Sequence, residues 1–153
     1  MISVNIIIDN PEWKKKKFKI INYIKKNIKH LSKKPILKKK HSFSILLTDN
    51  KNMKSLNKKF RKKNKSTDVL SFPLNNKNIL DNNYLGDIAI SFEFVSKRSI
   101  KTDFKYELDR MWVHGYLHLL GYNHIVYKDY KKMHLNELKI LKYFEHKLYT
   151  YKK

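Results

Sequence analysis

The spacing of apolar and polar positions changes along the chain between two periods. Alternating or continuous apolar runs are typical of β-strands, and they predict strands over residues 2–8, 43–47, 69–72 and 85–91. Apolar positions three or four residues apart are typical of helices that bury one face. They predict helices over residues 12–31, 50–60 and 129–149, a short helix carrying Phe92 and Val95, and a longer helix between Asp103 and Gly121. Residues 74–84 are rich in Asn and Asp, which predicts an exposed hairpin or loop.

These elements follow one another in the order β-α-β-α-β-β-α-α-α. This order predicts an α+β fold in which a small mixed β-sheet packs against several helices. The length of 153 residues suits one domain with its own hydrophobic core. Since no linker or internal repeat divides the sequence, we expect a single domain over residues 1–153.

The net charge of the chain is strongly positive. Its 35 basic and 13 acidic residues give a formal charge of +22, and such a cation is attracted to polyanions such as RNA and DNA. However, Lys, Asn, Ile and Tyr are abundant, while Gly and Pro number three each. A strongly AT-biased genome would produce the same composition without functional pressure. Charge alone therefore does not identify the partner.

The sequence contains no cysteine, which excludes disulfides and thiolate metal sites and fits a reducing cytosol. The apolar run at the N-terminus is short, has no basic lead-in and soon reaches Asp9, so it predicts a strand rather than a signal peptide. No stretch approaches the length of a transmembrane helix. We therefore expect a cytoplasmic protein with no membrane partner.

Three histidines lie near the end of the predicted central helix: His114, His118 and His124. Two histidines four residues apart project from the same helix face, so their imidazoles can reach one ion. The third can join them only if the helix ends first, because six more helical residues would carry it about 9 Å along the axis. Gly121 permits this reversal, since glycine adopts positive φ at no steric cost. Spacing, helix phase and glycine together predict a metal site.

The three histidine ligands and the absence of a glutamate beside them limit the reactions that this site could catalyse. Three nitrogen ligands with a fourth position open are typical of catalytic zinc sites, although imidazole also binds copper, nickel and iron. The spacing matches the metzincin protease pattern H-E-x-x-H-x-x-G-x-x-H, but Gly115 stands where those proteases carry their general base. This argues against a peptidase and towards a substrate that metal-bound hydroxide attacks directly.

The segment from His114 to His124 reads H-G-Y-L-H-L-L-G-Y-N-H. It resembles the H-G-x-L-H-L-x-G-Y-D-H signature of the YbeY family, bacterial endoribonucleases of ribosomal RNA maturation. Thr67–Pro73 matches the family's T-D-V-L-S-F-P block, Leu85–Ile88 matches its L-G-D-I block, and Phe60-Arg61 resembles its Tyr-Arg pair. The blocks occur in the family's order, and the resemblance covers essentially the whole chain.

The resemblance implies an α+β fold with a three-histidine site at the end of a central helix. It implies one zinc ion per chain, bound by His114, His118 and His124, and cleavage of single-stranded RNA by a metal-activated water. It also implies a role in maturing the 3′ end of small-subunit (16S) rRNA and in ribosome quality control. The expected partners are single-stranded ribosomal RNA and the small ribosomal subunit, with no nucleotide cofactor. Arg61 and His114 carry over as catalytic residues.

Two positions depart from the family pattern. Asn123 replaces the aspartate before the third histidine, and Ser66 replaces the proline before Thr67. If that aspartate orients a ligand, the metal affinity of this chain would be lower by about 10–100-fold.

Arg61 is one of three arginines in a chain with thirty-two lysines. A guanidinium can hold a phosphate through two hydrogen bonds, which favours a role in binding the scissile phosphate. Arg110, one helical turn before His114, is the alternative. We expect Lys62 and Lys63 to extend the phosphate-binding path, although both residues would also suit a solvated surface.

The sequence suggests roles for two acidic residues. Asp68 is interpreted as structural, whereas Asp87 suits either a turn or a contact with a ligand histidine.

Two alternative functions remain compatible with the sequence. One alternative function is a metallohydrolase of another class, such as a peptidase. The other is a non-catalytic RNA-binding ribosome assembly factor with a structural metal, which would bind RNA without the metal.

Overall fold

The computed structural model describes residues 1–16, 18–34, 37, 39–74, 83–147 and 149. In this part of the chain, four strands and five α-helices follow the predicted order. The strands are β1 (Ile2–Ile8), β2 (His41–Thr48), β3 (Val69–Pro73) and β4 (Tyr84–Ser91), and the helices are α1 (Ile20–Ser32), α2 (Asn50–Arg61), α3 (Phe92–Ser99), α4 (Phe104–Leu119) and α5 (Tyr127–Tyr143). The predicted α+β class is confirmed.

The four strands form one mixed sheet in the order β1-β2-β4-β3. β1 and β4 each run parallel to β2, whereas β3 runs antiparallel to β4. Successive residues of a strand point to opposite faces, so β4 divides the interior in two. Ile88 and Ile90 join the large core under α4, while Ala89 packs with Met53 of α2 in a smaller cluster. Helices therefore cover both faces of the sheet.

α4 is the central helix, since eleven of its sixteen residues are buried. It begins where the Asp103 carboxylate accepts a hydrogen bond from the Tyr106 amide, as expected for an N-cap aspartate. The helix lies against β3 and β4, and Trp112 and Tyr116 are fully buried in the core. This position brings the last turns of α4 to the edge of the sheet formed by β3.

The prediction of a helix over residues 12–31 is wrong at the N-terminal end. A short 3₁₀ helix at Pro11–Lys15 is followed by extended backbone at Lys16, and α1 begins only at Ile20. Trp13 is completely buried, its indole Nε1 donates to the Thr48 carbonyl at 2.9 Å, and its ring meets Phe92 edge-on. The chain leaves the helical path because this packing holds Trp13 against the end of β2.

The helix predicted over residues 129–149 also has different ends. α5 runs from Tyr127 to Tyr143, and Glu145 then adopts a φ of +62°. The turn allows His146 to reach back to Asp109, which a continued helix would prevent. The predicted loop at residues 74–84 lies largely outside the described residues, because residues 75–82 are not among them. None of the described helices is long and apolar enough to span a membrane.

Candidate metal centre

The three predicted ligands lie together in the structure. His114 and His118 project from the last turns of α4, and His124 follows the turn after that helix. One ring nitrogen from each histidine lies within 4.8 Å of the others. The Nε2 atoms of His114 and His118 are 3.1 Å apart. Tetrahedral zinc ligands at about 2.05 Å from the ion would lie about 3.3 Å apart, so the spacing fits one shared ion.

The other ring nitrogens of two ligands contact acceptors. His114 Nδ1 lies 2.5 Å from Glu137 Oε1, and His118 Nδ1 lies 2.9 Å from the Tyr122 carbonyl. A backbone carbonyl only accepts, and an ionised carboxylate does the same. Each Nδ1 therefore carries the hydrogen, which leaves each Nε2 with a lone pair in the neutral imidazole. In two neutral rings these lone pairs face each other, an arrangement that a shared cation would stabilise by coordination.

The electrostatics of His118 agree with this assignment. Burial lowers the pKa of its imidazole, the neighbouring His114 lowers it further, and the hydrogen bond to the Tyr122 carbonyl opposes the shift. The neutral form is therefore favoured, and neutral imidazole is the form that binds metals. The donor set suits zinc and other ions that prefer nitrogen ligands.

The turn after α4 brings the third histidine to the site. Gly121 has a φ of +94°, its amide donates to the His118 carbonyl, and the Tyr122 amide donates to the Leu117 carbonyl. This pair of bonds is the Schellman motif that ends many helices. Because the same turn directs the Tyr122 carbonyl at His118, it both ends the helix and orients a ligand.

Gly115 faces the sheet and not the metal site. A Cβ atom there would lie 2.8 Å from Ile88 Cγ2 and 3.1 Å from Ser71 Oγ. The Ser71 hydroxyl donates to the Gly115 carbonyl at 3.3 Å, which joins β3 to α4. A glutamate at this position has no room without separating the helix from the sheet. The metzincin-like spacing therefore occurs here without a place for the protease base.

A cavity of about 310 Å³ opens beside the histidines. The three ligands line it together with three arginines, two carboxylates and three further residues: His114, His118, His124, Arg61, Arg98, Arg110, Asp68, Glu137, Val69, Ser71 and Met111. A second cavity of about 350 Å³ shares Arg61, Ser71, His118 and His124 with it, and adds Pro73, Leu74, Leu119, Gly121 and Tyr122. The ligands thus lie between a polar and a more apolar pocket.

The structure brings Arg61 to this centre but not the two lysines after it. Arg61 is the last residue of α2, and its Nη2 donates to the Ser71 carbonyl at 3.2 Å. Lys62 adopts a left-handed φ of 59° that ends the helix, and both Lys62 and Lys63 are exposed. Neither is among the described residues that line the two cavities. Their role in substrate binding stays a prediction.

Asp68 lies at the cavity wall. Burial would raise the pKa of its carboxyl group, but the hydrogen bond and charge of Arg98, at 2.7 Å, together with hydrogen bonds from Val69 and Thr67, hold that pKa below its ordinary value. Asp68 also accepts from the Val69 amide at the start of β3. The carboxylate is thus ionised and fixes Arg98, which adds a contact at the candidate site to the structural role expected from the sequence.

The two other polar positions singled out in the sequence contact different groups. Asp87 accepts a hydrogen bond from the Tyr84 hydroxyl at 2.5 Å. Asn123 accepts from the Ile125 amide at 3.4 Å and so shapes the turn after Gly121. The ligand contacts that the structure does show come from Glu137 and the Tyr122 carbonyl.

Sequence reasoning did not identify Glu137 or Arg98. Glu137 lies on α5, 23 residues after the histidine that it contacts, and Arg98 lies on α3. No local spacing connects either residue to the signature. The rarity of arginine in the chain was the available signal for Arg98, and it applied equally to Arg61 and Arg110.

The fold and the centre together define a small α+β protein whose central helix ends in a three-histidine group able to hold a metal ion. The sequence profile of the family described as endoribonuclease YbeY matches residues 7–145. The chain therefore belongs to the endoribonuclease YbeY family, a family of nucleases named for cleaving RNA.

Individual relatives agree with this assignment. Endoribonuclease YbeY of Pelagibacter ubique is 43% identical over 97% of this chain and 99% of its own length. Endoribonuclease YbeY of Bartonella henselae is 37% identical over 92% of each chain. The solution structure of a Thermotoga maritima protein superposes with a TM-score of 0.63 at 26% identity and covers 94% of this chain and 88% of that chain.

Proposed function

We propose that this protein is a zinc-dependent endoribonuclease that cleaves single-stranded RNA in the cytoplasm. Its substrate would be the 3′ end of precursor 16S rRNA on the small ribosomal subunit, in maturation and quality control. Family membership supports the nuclease activity. The observation that carries the metal dependence is the pair of facing Nε2 atoms, 3.1 Å apart, in a cavity that Arg61 also lines.

Zinc would be held by His114, His118 and His124. When bound, zinc would act as a Lewis acid and lower the pKa of a coordinated water to about 7. His114 would contribute to catalysis through the metal, with Glu137 fixing the orientation of its ring. Three protein ligands leave a further position for water or substrate, as in catalytic zinc sites.

Arg61 would bind the scissile phosphate. Its Nη2 atom is anchored on the Ser71 carbonyl, and its side chain lines both cavities beside the ligands. A guanidinium has five N–H donors in a planar fork, so this one bond leaves donors to direct at a phosphate. Charge that develops on the phosphate oxygens would be stabilised there. Lys62 and Lys63 would attract the RNA backbone from the exposed end of α2.

The second cavity favours a single strand. Its walls are more apolar and include Leu74, Leu119 and Tyr122. A base turned out of a strand can stack on an aromatic ring, whereas a base in a duplex cannot reach it. We therefore expect the nucleoside on one side of the cut to enter this pocket.

Two variants of Arg61 test the proposal. With Arg61→Gln, cleavage of a single-stranded RNA should fall by about 100-fold or more while the zinc content stays at that of the wild type. Arg61→Lys keeps the charge but loses the planar fork, so its cleavage rate should lie between those of the wild type and Arg61→Gln. Lys54→Gln, which removes an exposed charge from the same helix, is the matched control.

Full cleavage by Arg61→Gln would contradict the role given to Arg61. Equal cleavage of a duplex of the same sequence would contradict the single-strand preference. The ribosomal role needs its own substrate. Precursor small subunits incubated with the protein and zinc should lose their 16S 3′ extension, and unchanged 3′ ends would contradict that part of the proposal.

A further inference from the structure

All three arginines of the chain line the cavity beside the metal centre: Arg61, Arg98 and Arg110. They come from three different helices, α2, α3 and α4. The chain has thirty-two lysines, yet no lysine is among the described residues that line this cavity. Compositional bias towards lysine does not produce this distribution. A guanidinium group suits this cavity, because its planar fork matches the geometry of a phosphate or a carboxylate, whereas an ammonium is only a point charge.

Carboxylates fix the two arginines that the proposed function does not use. Arg98 Nη1 lies 2.7 Å from Asp68 Oδ2 and 3.6 Å from the Met111 sulfur. Arg110 Nε donates to the fully buried Glu107 at 3.2 Å. Both side chains are about one third exposed. These contacts orient each guanidinium group at the wall of the cavity.

The charge of the cavity wall suits an anion. Asp68 and Glu137 line the cavity with the three arginines, and Glu107 is buried behind Arg110, so the charges of these protein groups balance without a metal. A divalent metal would add two further positive charges.

The three arginines differ in the cavities that they line. Arg98 and Arg110 line only the cavity beside His114, whereas Arg61 lines both cavities together with His118. Arg110 precedes His114 by four residues on α4, which places its backbone about 6 Å along the axis on the side away from His118. Arg98 contacts Met111 on the same side.

We propose that Arg98 and Arg110 form a second phosphate subsite, which binds the phosphodiester next to the scissile one. This inference rests on the proposed function, because it assigns the adjacent linkage of the same RNA strand. Arg98 and Arg110 line the first cavity, whereas the more apolar walls belong to the second. Together they would set which side of the cut takes the phosphate and which takes the nucleoside.

The test uses single-stranded RNA in which one linkage beside the cut carries a neutral methylphosphonate. In the wild type with zinc, neutralising one of the two flanking linkages should lower kcat/KM by about tenfold, the loss expected for a charge-assisted hydrogen bond. The double variant Arg98→Gln/Arg110→Gln should lower kcat/KM on the unmodified RNA by a similar factor. It should then cleave the modified and unmodified RNAs equally, since both changes remove the same contact.

The matched control is Lys97→Gln/Lys101→Gln, which removes two exposed charges next to α3 outside the cavity. It should keep the tenfold preference for the charged linkage. A second variant, Arg98→Lys/Arg110→Lys, keeps both charges beside Asp68 and Glu107 and guards against loss of folding. Its preference should fall between those of the wild type and the glutamine variant. Urea unfolding and zinc content confirm that each variant is intact.

Three results would overturn the subsite. The first is that the wild type tolerates a neutral linkage on either side of the cut. The second is that the glutamine variant still prefers the charged linkage tenfold. In both cases the RNA would still be cleaved, so the proposed function would not be contradicted. The third, no cleavage of any single-stranded RNA by the zinc-loaded wild type, would refute the proposed function and the subsite with it.

Discussion

Glu137 is the residue on which the geometry of the first ligand depends most directly. Its carboxylate lies 2.5 Å from His114 Nδ1 and is largely buried. A carboxylate behind a metal-binding histidine fixes the ring and its tautomer and makes the imidazole a stronger ligand. Glu137 contacts the nitrogen that faces away from the shared ion position, so it acts through His114 as a positioning residue.

Glu137→Gln should therefore weaken metal binding. An amide still accepts a hydrogen bond from Nδ1 but has no negative charge, and we expect zinc affinity to fall by about tenfold or more. Competition with a chromogenic chelator measures this change. Glu12→Gln removes a carboxylate from the surface and serves as the control. Equal zinc affinity in the wild type and Glu137→Gln would contradict the positioning role.

A second prediction at the residue scale concerns the effect of His41 on the stability of the fold. Its Nδ1 donates to the Lys39 carbonyl at 2.8 Å, and its Nε2 accepts from the Tyr116 hydroxyl at 2.7 Å. Burial lowers the pKa of His41, the bond to Lys39 opposes this, and the N-terminal ammonium adds to the lowering. As the pH falls, His41 is protonated near pH 6.5 in the unfolded chain and only at a lower pH in the folded chain.

Between those two pKa values the unfolded state binds more protons, so stability falls as the pH falls below about 6.5. His41→Gln keeps a polar group but does not titrate there. The free energy of unfolding in urea should thus fall less for the variant than for the wild type between pH 7.5 and 5.5. A parallel fall in both proteins would show that His41 does not contribute to the acid sensitivity.

Among the structural elements, the last turn of α4 and the turn after it form the metal centre as one unit. The Schellman bonds at Gly121 and Tyr122 end the helix, and the Tyr122 carbonyl holds His118. Apart from Gly121 and its two neighbours in the chain, no described residue has an atom within 4 Å of the position that a Cβ atom would take here. The glycine is therefore required for its backbone conformation and not for lack of space.

This distinction predicts a graded pair of variants. Gly121→Ala should lower the free energy of unfolding by about 1–2 kcal/mol, because a Cβ atom disfavours positive φ. Gly121→Asn should cost less, since asparagine adopts left-handed conformations more readily. Urea unfolding of the metal-free proteins measures both. If alanine were as stable as glycine, the φ of +94° would not constrain the turn.

The elements that could be predicted from the sequence are those that local spacing determines. The period of α4, its start at Asp103 and its end before Gly121 all lie within one segment, and so do the three ligands. Helix 12–31 was wrong because the burial of Trp13 against Thr48 comes from tertiary packing. Arg98 and Glu137 reach the site from separate helices, so only the folded structure shows their proximity to His114.

At the scale of the whole molecule, one buried polar cluster joins the C-terminal segment to the helices. Asp109 is fully buried and accepts hydrogen bonds from Tyr23 and Asn27 of α1, from Trp112 and from His146, at 2.5–2.9 Å. Burial and the charge of Asp109 raise the pKa of Tyr23, which keeps its hydroxyl protonated as a donor. Asp109 thus attaches the residues after α5 to α1 and α4, and the ring contact between Tyr106 and His146 adds to this attachment.

Asp109→Asn should be strongly destabilising. The amide group would direct donors at donors, and breaking a buried pair on one side costs about 3–5 kcal/mol. The free energy of unfolding in urea measures the loss, and Asp9→Asn at an exposed position is the control. A loss below about 1 kcal/mol would show that the C-terminal segment does not depend on this cluster.

The charge of the whole molecule and the charge of the site have different origins. The net charge of +22 comes mostly from lysines, many of them on exposed helix faces. The arginines, in contrast, are confined to the cavity beside the three histidines. A general attraction to RNA would come from the lysines distributed over the molecule, whereas the specific contacts proposed here come from the site.

Metal-dependent cleavage at the three-histidine group is the central claim. The most direct measurement follows zinc content and cleavage of single-stranded RNA in the same preparation, first stripped by a chelator and then titrated with zinc. Cleavage should rise in proportion to bound zinc and level off at about one equivalent, while folded His118→Ala neither retains zinc nor cleaves. Undiminished cleavage by the stripped protein, or by His118→Ala without zinc, would contradict the account.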